Sequence, residues 1–345
     1  MKNKLKKIFV PLCTLLLTAC GTKTYEAKDY ILEMNWKDNF RILQLNDLHI
    51  GNKDDQQLQF DFVDQTINDA NADLIVLDGD VFTFADRITA KRTFKWMDSH
   101  KIPWTITWGN HDEQCYFSID WVTGYLNDLN DSEDSYCIFK DIQDDDVMGN
   151  ANFAINLMKD GHIKEQIIVM DSNRYNYGKY KDYDQYVGYD AFHDDQVAWY
   201  EKIVKYTTAQ NGGTVVPSVS FFHIPFPEYD TAYTLWAEGS SEVTLVHGQS
   251  DKVEQEGVAA PLINTHMFEK MVELGSTNGT FVAHDHKNNW AIEYKGITLS
   301  YGVNSTDRVY MDKNLLGGQV IDIKDDGSFE LTQILKSYDS YKEFY

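Results

Sequence analysis

The sequence predicts an α/β fold in which a largely parallel sheet carries helices on its faces, on three observations. Short, nearly continuous apolar runs at 40–46, 74–77 and 102–107 read as buried strands. The stretches between them show helical spacing instead: Leu58, Phe62, Val63 and Ile67 within 56–70, then Phe94 and Met97 within 89–99. The resulting strand–helix–strand–helix–strand order, with strands apolar on both faces, is that of parallel strands joined by helical crossovers.

The second half is less regular. Residues 127–147 are rich in Asp, Asn and Ser and read as loops around one strand at 136–139. Residues 151–158 and 166–170 read as a strand pair turning at Asp160-Gly161. Tyr175, Tyr177, Tyr180, Tyr183, Tyr186 and Tyr189 fit neither period, so 172–191 reads as a surface loop. A helix at 194–207, a strand at 214–222, a polar insertion at 238–260 and a helix at 264–274 follow, then short strands at 280–283, 290–294, 297–301, 319–323 and 329–334. No repeat or Pro/Gly/Ser linker interrupts 39–345, which is expected to form one domain.

The chain has 345 residues and a formal charge of -23. An acidic surface of this kind repels nucleic acid backbones, so nucleic acid is not an expected partner. At the start, Lys2, Lys4, Lys6 and Lys7 precede an apolar run at 8–17, too short to span a bilayer as a stable helix. The run ends Leu17-Thr18-Ala19-Cys20-Gly21, which resembles a bacterial lipoprotein signal. That resemblance implies removal of 1–19, lipidation of Cys20, a tether over 20–38 and an extracytoplasmic, membrane-anchored protein; an uncleaved anchor is the rival. Cys115 and Cys137 then remain, either bridged or as two buried thiols.

Five polar clusters each directly follow a predicted strand: Asp47-Leu48-His49, Asp78-Gly79-Asp80, Gly109-Asn110-His111-Asp112, His223 and His284-Asp285-His286. Ligand crevices of open α/β sheets lie at strand carboxyl ends, so all five are expected to converge. Residues i and i+2 at a strand end project to one side, so Asp47 and His49 can share an ion. Gly109 is expected to let the chain bend sharply before Asn110. Each cluster alone is weak, since an isolated strand-end histidine is more often structural. Together, carboxylates, an amide oxygen and imidazoles without thiolate suit Zn, Mn or Fe.

The series D-x-H, G-D, G-N-H-D, H, x-H-x-H resembles the calcineurin-like metallophosphoesterase family, in the branch close to the purple acid phosphatases, over 40 to about 302. The resemblance implies a four-layer α/β/β/α sandwich with a dimetal site at the strand carboxyl ends. It implies that Asp47, His49 and His286 hold one metal, that Asn110, His223 and His284 hold the other, and that Asp80 bridges both. His111 would face the substrate, oriented by Asp112. Asn173, Arg174 and Tyr175 are weaker candidates for substrate contact. Two departures stand out: Ala283 replaces the Gly that usually opens the last motif, and Thr83 and His49 occupy the positions of the purple acid phosphatases' Tyr and Gly.

The implied chemistry is hydrolysis of phosphate esters, with phosphomonoesters first and diesters of nucleotides or lipids as the alternative. Two close cations neutralise the phosphate and lower the pKa of a bound water to roughly 7, giving hydroxide at neutral pH. The ions would be divalent or trivalent Mn, Fe or Zn. A lipid-anchored binding protein without turnover is the rival class, but a binder needs no positioned acid such as His111.

Overall fold

The computed structural model describes residues 24–52, 55–177, 187–248 and 256–338. Two sheets face one another. The first has five strands in the order Phe329–Lys336, Leu316–Ile323, Phe40–Leu45, Leu74–Asp78, Trp104–Thr107, and its last three are parallel. The second has eight, in the order Ile31–Asn35, Phe153–Lys159, His162–Val169, Ser218–Phe221, Thr277–Val282, Ile297–Tyr301, Ala291–Tyr294, Val243–His247. Its centre, from His162–Val169 to Ile297–Tyr301, is parallel.

Strand alternation explains why the sheets stack. In the second sheet Ile155, Leu157, Ile167, Val169, Val219, Phe221 and Phe281 join the core shared with Ile42, Leu74 and Val76 of the first. Their neighbours Ala154, Ile168, Met170, Phe222, Val282 and Leu299 point the other way, under the helices Asp194–Gln210, Glu228–Ala237 and Met267–Leu274. The helices Gln56–Ala70, Arg87–Ser99 and Ile119–Asn130 cover the outer face of the first sheet. The result is the expected α/β/β/α sandwich.

Several sequence expectations need correction. The tether over 20–38 ends early: residues 27–30 form a 3-10 turn and Ile31–Asn35 pairs with Phe153–Lys159 at the sheet edge, because Tyr30 packs on Trp199. The tyrosine-rich loop contains a hairpin, Tyr175–Tyr177 with Val187–Tyr189. The expected strand at 136–139 is only a bridge from Cys137 to Trp104. Inside the polar insertion, Val243–His247 forms an edge strand, since its Val243 and Leu245 reach the second core. Of the two alternatives left open for Cys115 and Cys137 the unbridged one holds, with Cys137 buried and Cys115 half-buried. The signal segment 1–19 and Cys20 lie outside the described residues.

Phe281 lies at the centre of the sheet interface, stacked 5.1 Å from Phe221 and edge-on 5.5 Å from Phe329. Phe281→Ala is expected to lower the unfolding free energy by about 3–5 kcal/mol in urea titration. A loss below about 1 kcal/mol would show that the sheets do not meet there.

Candidate metal centre

The five clusters do converge, but at the shared edge of two facing sheets rather than along one. Asp47-Leu48-His49, Asp80 and Asn110-His111 follow neighbouring strands of the five-stranded sheet, and His223 and His284–His286 follow neighbouring strands of the other. Main-chain bonds lace the loops together. Asp47 N donates to Gly79 O at 3.3 Å, His49 N to Asp80 O at 2.9 Å and Ala283 N to His223 O at 3.1 Å.

The loops bend in an unusual way. Asp47, His49, Asp80 and His284 all have left-handed backbones, with φ of 52°, 45°, 47° and 74°. Such angles are uncommon outside glycine and persist where the surroundings enforce them. Strand alternation therefore does not explain why Asp47 and His49 meet, since neither is extended. For the same reason His284 and His286, two apart, serve different clusters. Ala283 is not among the left-handed residues, so the missing glycine there has no conformational consequence.

Two buried triads result, Asp47 with His49 and His286, and Asp80 with His223 and His284, each with ligand atoms within 4.8 Å of one another. Asp80 Oδ2 lies between them, 3.2 Å from His223 Nε2 and 3.8 Å from His49 Nε2. His286 Nε2 lies 3.4 Å from Asp47 Oδ1. The orphaned buried atoms are the telling feature. Asp47 Oδ1, His49 Nε2, Asp80 Oδ2, Asn110 Oδ1, His223 Nε2 and His284 Nε2 take part in no hydrogen bond. Buried polar atoms are normally satisfied, so six that aim inward together suit a pair of cations.

The opposite ring nitrogens are fixed. His223 Nδ1 donates to the Asp78 carbonyl at 2.9 Å and His286 Nδ1 to the Tyr310 carbonyl at 3.0 Å, while His49 Nδ1 lies 2.7 Å from Thr83 Oγ1. Each contact turns Nε2 inward, as metal-binding histidines require. Asn110 Nδ2 donates to Tyr175 Oη at 3.0 Å, which likewise turns Oδ1 inward. Tyr189 stands edge-on to His284 at 4.4 Å and stacks on Tyr175, forming a wall on that side.

The buried groups of the cage perturb one another strongly. Burial pushes His49 down to about 4 and His284 down to about 3, so both are neutral imidazoles ready to coordinate. Burial also works against charge on His223, but the Asp80 carboxylate outweighs it and carries His223 up to about 10. Burial would raise Asp47, yet His286 and His223 beside it hold that carboxyl below its ordinary value.

One expectation fails. Asp112 does not orient the His111 ring: its oxygens accept from Phe82 N and Gly109 N, both at 2.8 Å, because those amides of the buried turn lie closer. Gln114 Oε1, 2.9 Å from His111 Nδ1, takes that place. Asn173 Nδ2 donates to the Ala191 carbonyl and Gln196 Oε1, so its amide is braced where it lines an open cavity beside Arg174 and Tyr175. In that cavity Arg174 lies 3.3 Å from Glu113. The bracing groups Thr83, Gln114 and Tyr310 escape sequence reasoning, because nothing local marks a hydroxyl, an amide or a carbonyl as a histidine's partner.

A family model described as calcineurin-like phosphoesterase matches residues 40–287. The chain belongs to the calcineurin-like phosphoesterase family. This metallophosphoesterase is 27% identical over 331 residues to a protein of Arabidopsis thaliana named "Probable inactive purple acid phosphatase 29", covering 86% of this chain and 78% of that one. It is 24% identical over 298 residues to "Phosphatase DCR2" of Saccharomyces cerevisiae, covering 79% of this chain and 48% of that one. Its fold is similar to the crystal structure of a dimetal phosphatase from Danio rerio, at a TM-score of 0.52 and 12% identity, over 88% of this chain and all of that one. The two triads are consistent with two divalent metal ions in this phosphoesterase.

Glycine at 109 is required by contact, not by bending, since its φ is not left-handed: a Cβ there would fall 2.2 Å from Asp80 Oδ1 and 2.4 Å from Asp80 N. Gly109→Ala is expected to displace Asp80 and cut bound metal, measured by elemental analysis after dialysis, to about half or less. Full metal content in a folded Gly109→Ala protein would contradict the tight packing of Asp80.

Proposed function

We propose that this phosphoesterase hydrolyses phosphomonoesters outside the cytoplasmic membrane, held there by lipid on Cys20. The observation that carries the catalytic part is the pair of buried triads, in which the inward atoms of Asp47, His49, Asp80, His223 and His284 have no hydrogen-bonding partner in the chain. The leader pattern of residues 1–21 supports the location.

Asp47, His49 and His286 would hold the first metal and Asn110, His223 and His284 the second, with Asp80 Oδ2 placed between the triads to serve both. When bound, such a pair neutralises phosphoryl oxygens and lowers the pKa of water. His111 is the less buried histidine beside this cage, its ring 5.2 Å from that of His49. Gln114 Oε1 accepts from its Nδ1, and in the imidazolium form Nε2 then carries the proton given to the leaving oxygen, which leaves the neutral ring behind. Asp112 keeps the turn beneath it in place through Gly109 and Phe82. The word "inactive" in the name of the plant relative is said of that protein. In this chain every ligand position that the motif series requires is filled.

The test is turnover of para-nitrophenyl phosphate and its bis ester by protein loaded with Mn, Zn or Fe, against chelated protein. The monoester should be preferred and chelation should abolish the activity. Asp80→Ala should lose both metal and turnover, whereas His111→Ala should keep its metal and lose about 10²–10⁴-fold in kcat. Normal turnover by metal-free protein, or an unchanged rate in His111→Ala, would refute the respective role. Preference for the bis ester would make the enzyme a diesterase.

A further inference from the structure

The His49 side of the metal centre opens into a cavity of about 350 Å³ lined by His49, Thr83, Phe84, Tyr116, Arg308 and Val309. Two features of this wall are unexpected beside a centre suited to an anion. Phe84 is 56% exposed and Tyr116 70% exposed, and among the described residues neither ring stacks on another aromatic side chain. Phe84 also has φ of 52°, in the left-handed region where a bulky side chain is a genuine outlier.

The strain at Phe84 is held from both sides. Before it, Thr83 N donates to the Ile50 carbonyl at 3.3 Å, and Phe82 bridges to Ile50. After it, Tyr116 N donates to the Ala85 carbonyl at 2.8 Å and Asp86 N to Asn52 Oδ1 at 2.7 Å. Phe82 and Ala85 are buried, so the backbone reversal turns Phe84 alone outward. The same short loop carries Asp80 and Thr83, which tie the wall to the metal-binding residues. Strain of this kind survives where the surroundings over-determine it, and it clusters at ligand-binding sites.

We propose that this cavity receives the alcohol half of the ester and selects aromatic alcohols. The ring lies against Phe84 and Tyr116 while the phosphate faces the two metals. Arg308 adds a guanidinium to the same wall, a group that also stacks on aromatic faces. The substrate class is then aromatic phosphomonoesters rather than phosphates of glycerol or simple sugars. This inference rests on the two-metal reading above.

The test is calorimetric titration of Mn-loaded protein with phenylphosphonate and with methylphosphonate, neither of which can be hydrolysed. Wild-type protein is expected to bind the phenyl compound about tenfold more tightly, as burial and stacking of one ring would give. In the double variant Phe84→Gly, Tyr116→Ala, that gap should fall to about twofold while methylphosphonate affinity stays unchanged, which also reports an intact fold. Equal affinities in the wild type, or an undiminished gap in the variant, would overturn the aromatic subsite alone. Failure of both phosphonates to bind would overturn the two-metal reading and the subsite with it.

Discussion

Two carboxylates and four imidazoles are buried at one edge of this sandwich, and five of their inward atoms, joined by Asn110 Oδ1, meet no hydrogen-bonding partner in the chain. Burying such groups is unfavourable unless opposite charge compensates them. Much of the architecture follows from that constraint. Two sheets stack so that three strand ends of one and two of the other deliver ligands to the same place. Each ligand histidine with a second partner uses Nδ1 for it, through Thr83, the Asp78 carbonyl or the Tyr310 carbonyl. The turn at 285, between two ligand histidines, is pinned by Tyr301, whose hydroxyl donates to Asp285.

The same constraint explains where the backbone is strained. Left-handed angles at Asp47, His49, Asp80 and His284 are unfavourable by roughly 1–3 kcal/mol each, and they recur at the ligands because ordinary strand geometry cannot aim these side chains at two common points. Gly79 shows the limiting case. Its φ is 78°, and a Cβ would lie 2.4 Å from His223 Nδ1. The sandwich supplies the compensation: Trp108, Phe221 and Phe281 are fully buried around these loops, and large apolar burial offsets local strain.

Much of this was legible in the sequence, for a physical reason. The apolar runs at 40–46, 74–77 and 102–107 are local signals, and each ends in a polar cluster that has few structural uses. The order of Asp47, Asp80, Asn110, His223 and His286 therefore carries the site without knowledge of contacts. What failed depended on distance or on backbone donors. Asp112 beside His111 reads as its partner, but the amides of Gly109 and Phe82 compete for the carboxylate and win. The helix Ile119–Asn130 carries a local signal in its Ser118 cap and in Ile119, Val122 and Leu126, and its last turn, 127–130, falls in the polar stretch that reads as loop. The edge strand Ile31–Asn35 has no alternating pattern and exists only because Phe153–Lys159 offers it a partner.

The central claim is that the two triads form one cage for two cations. Anomalous diffraction at the manganese edge, from crystals of Mn-loaded protein, tests it most directly. Two peaks about 3.5–4 Å apart are expected, one within Asp47, His49 and His286 and the other within Asp80, His223 and His284. Peaks confined to the acidic surface, or a single peak in one triad at saturating metal, would contradict the account.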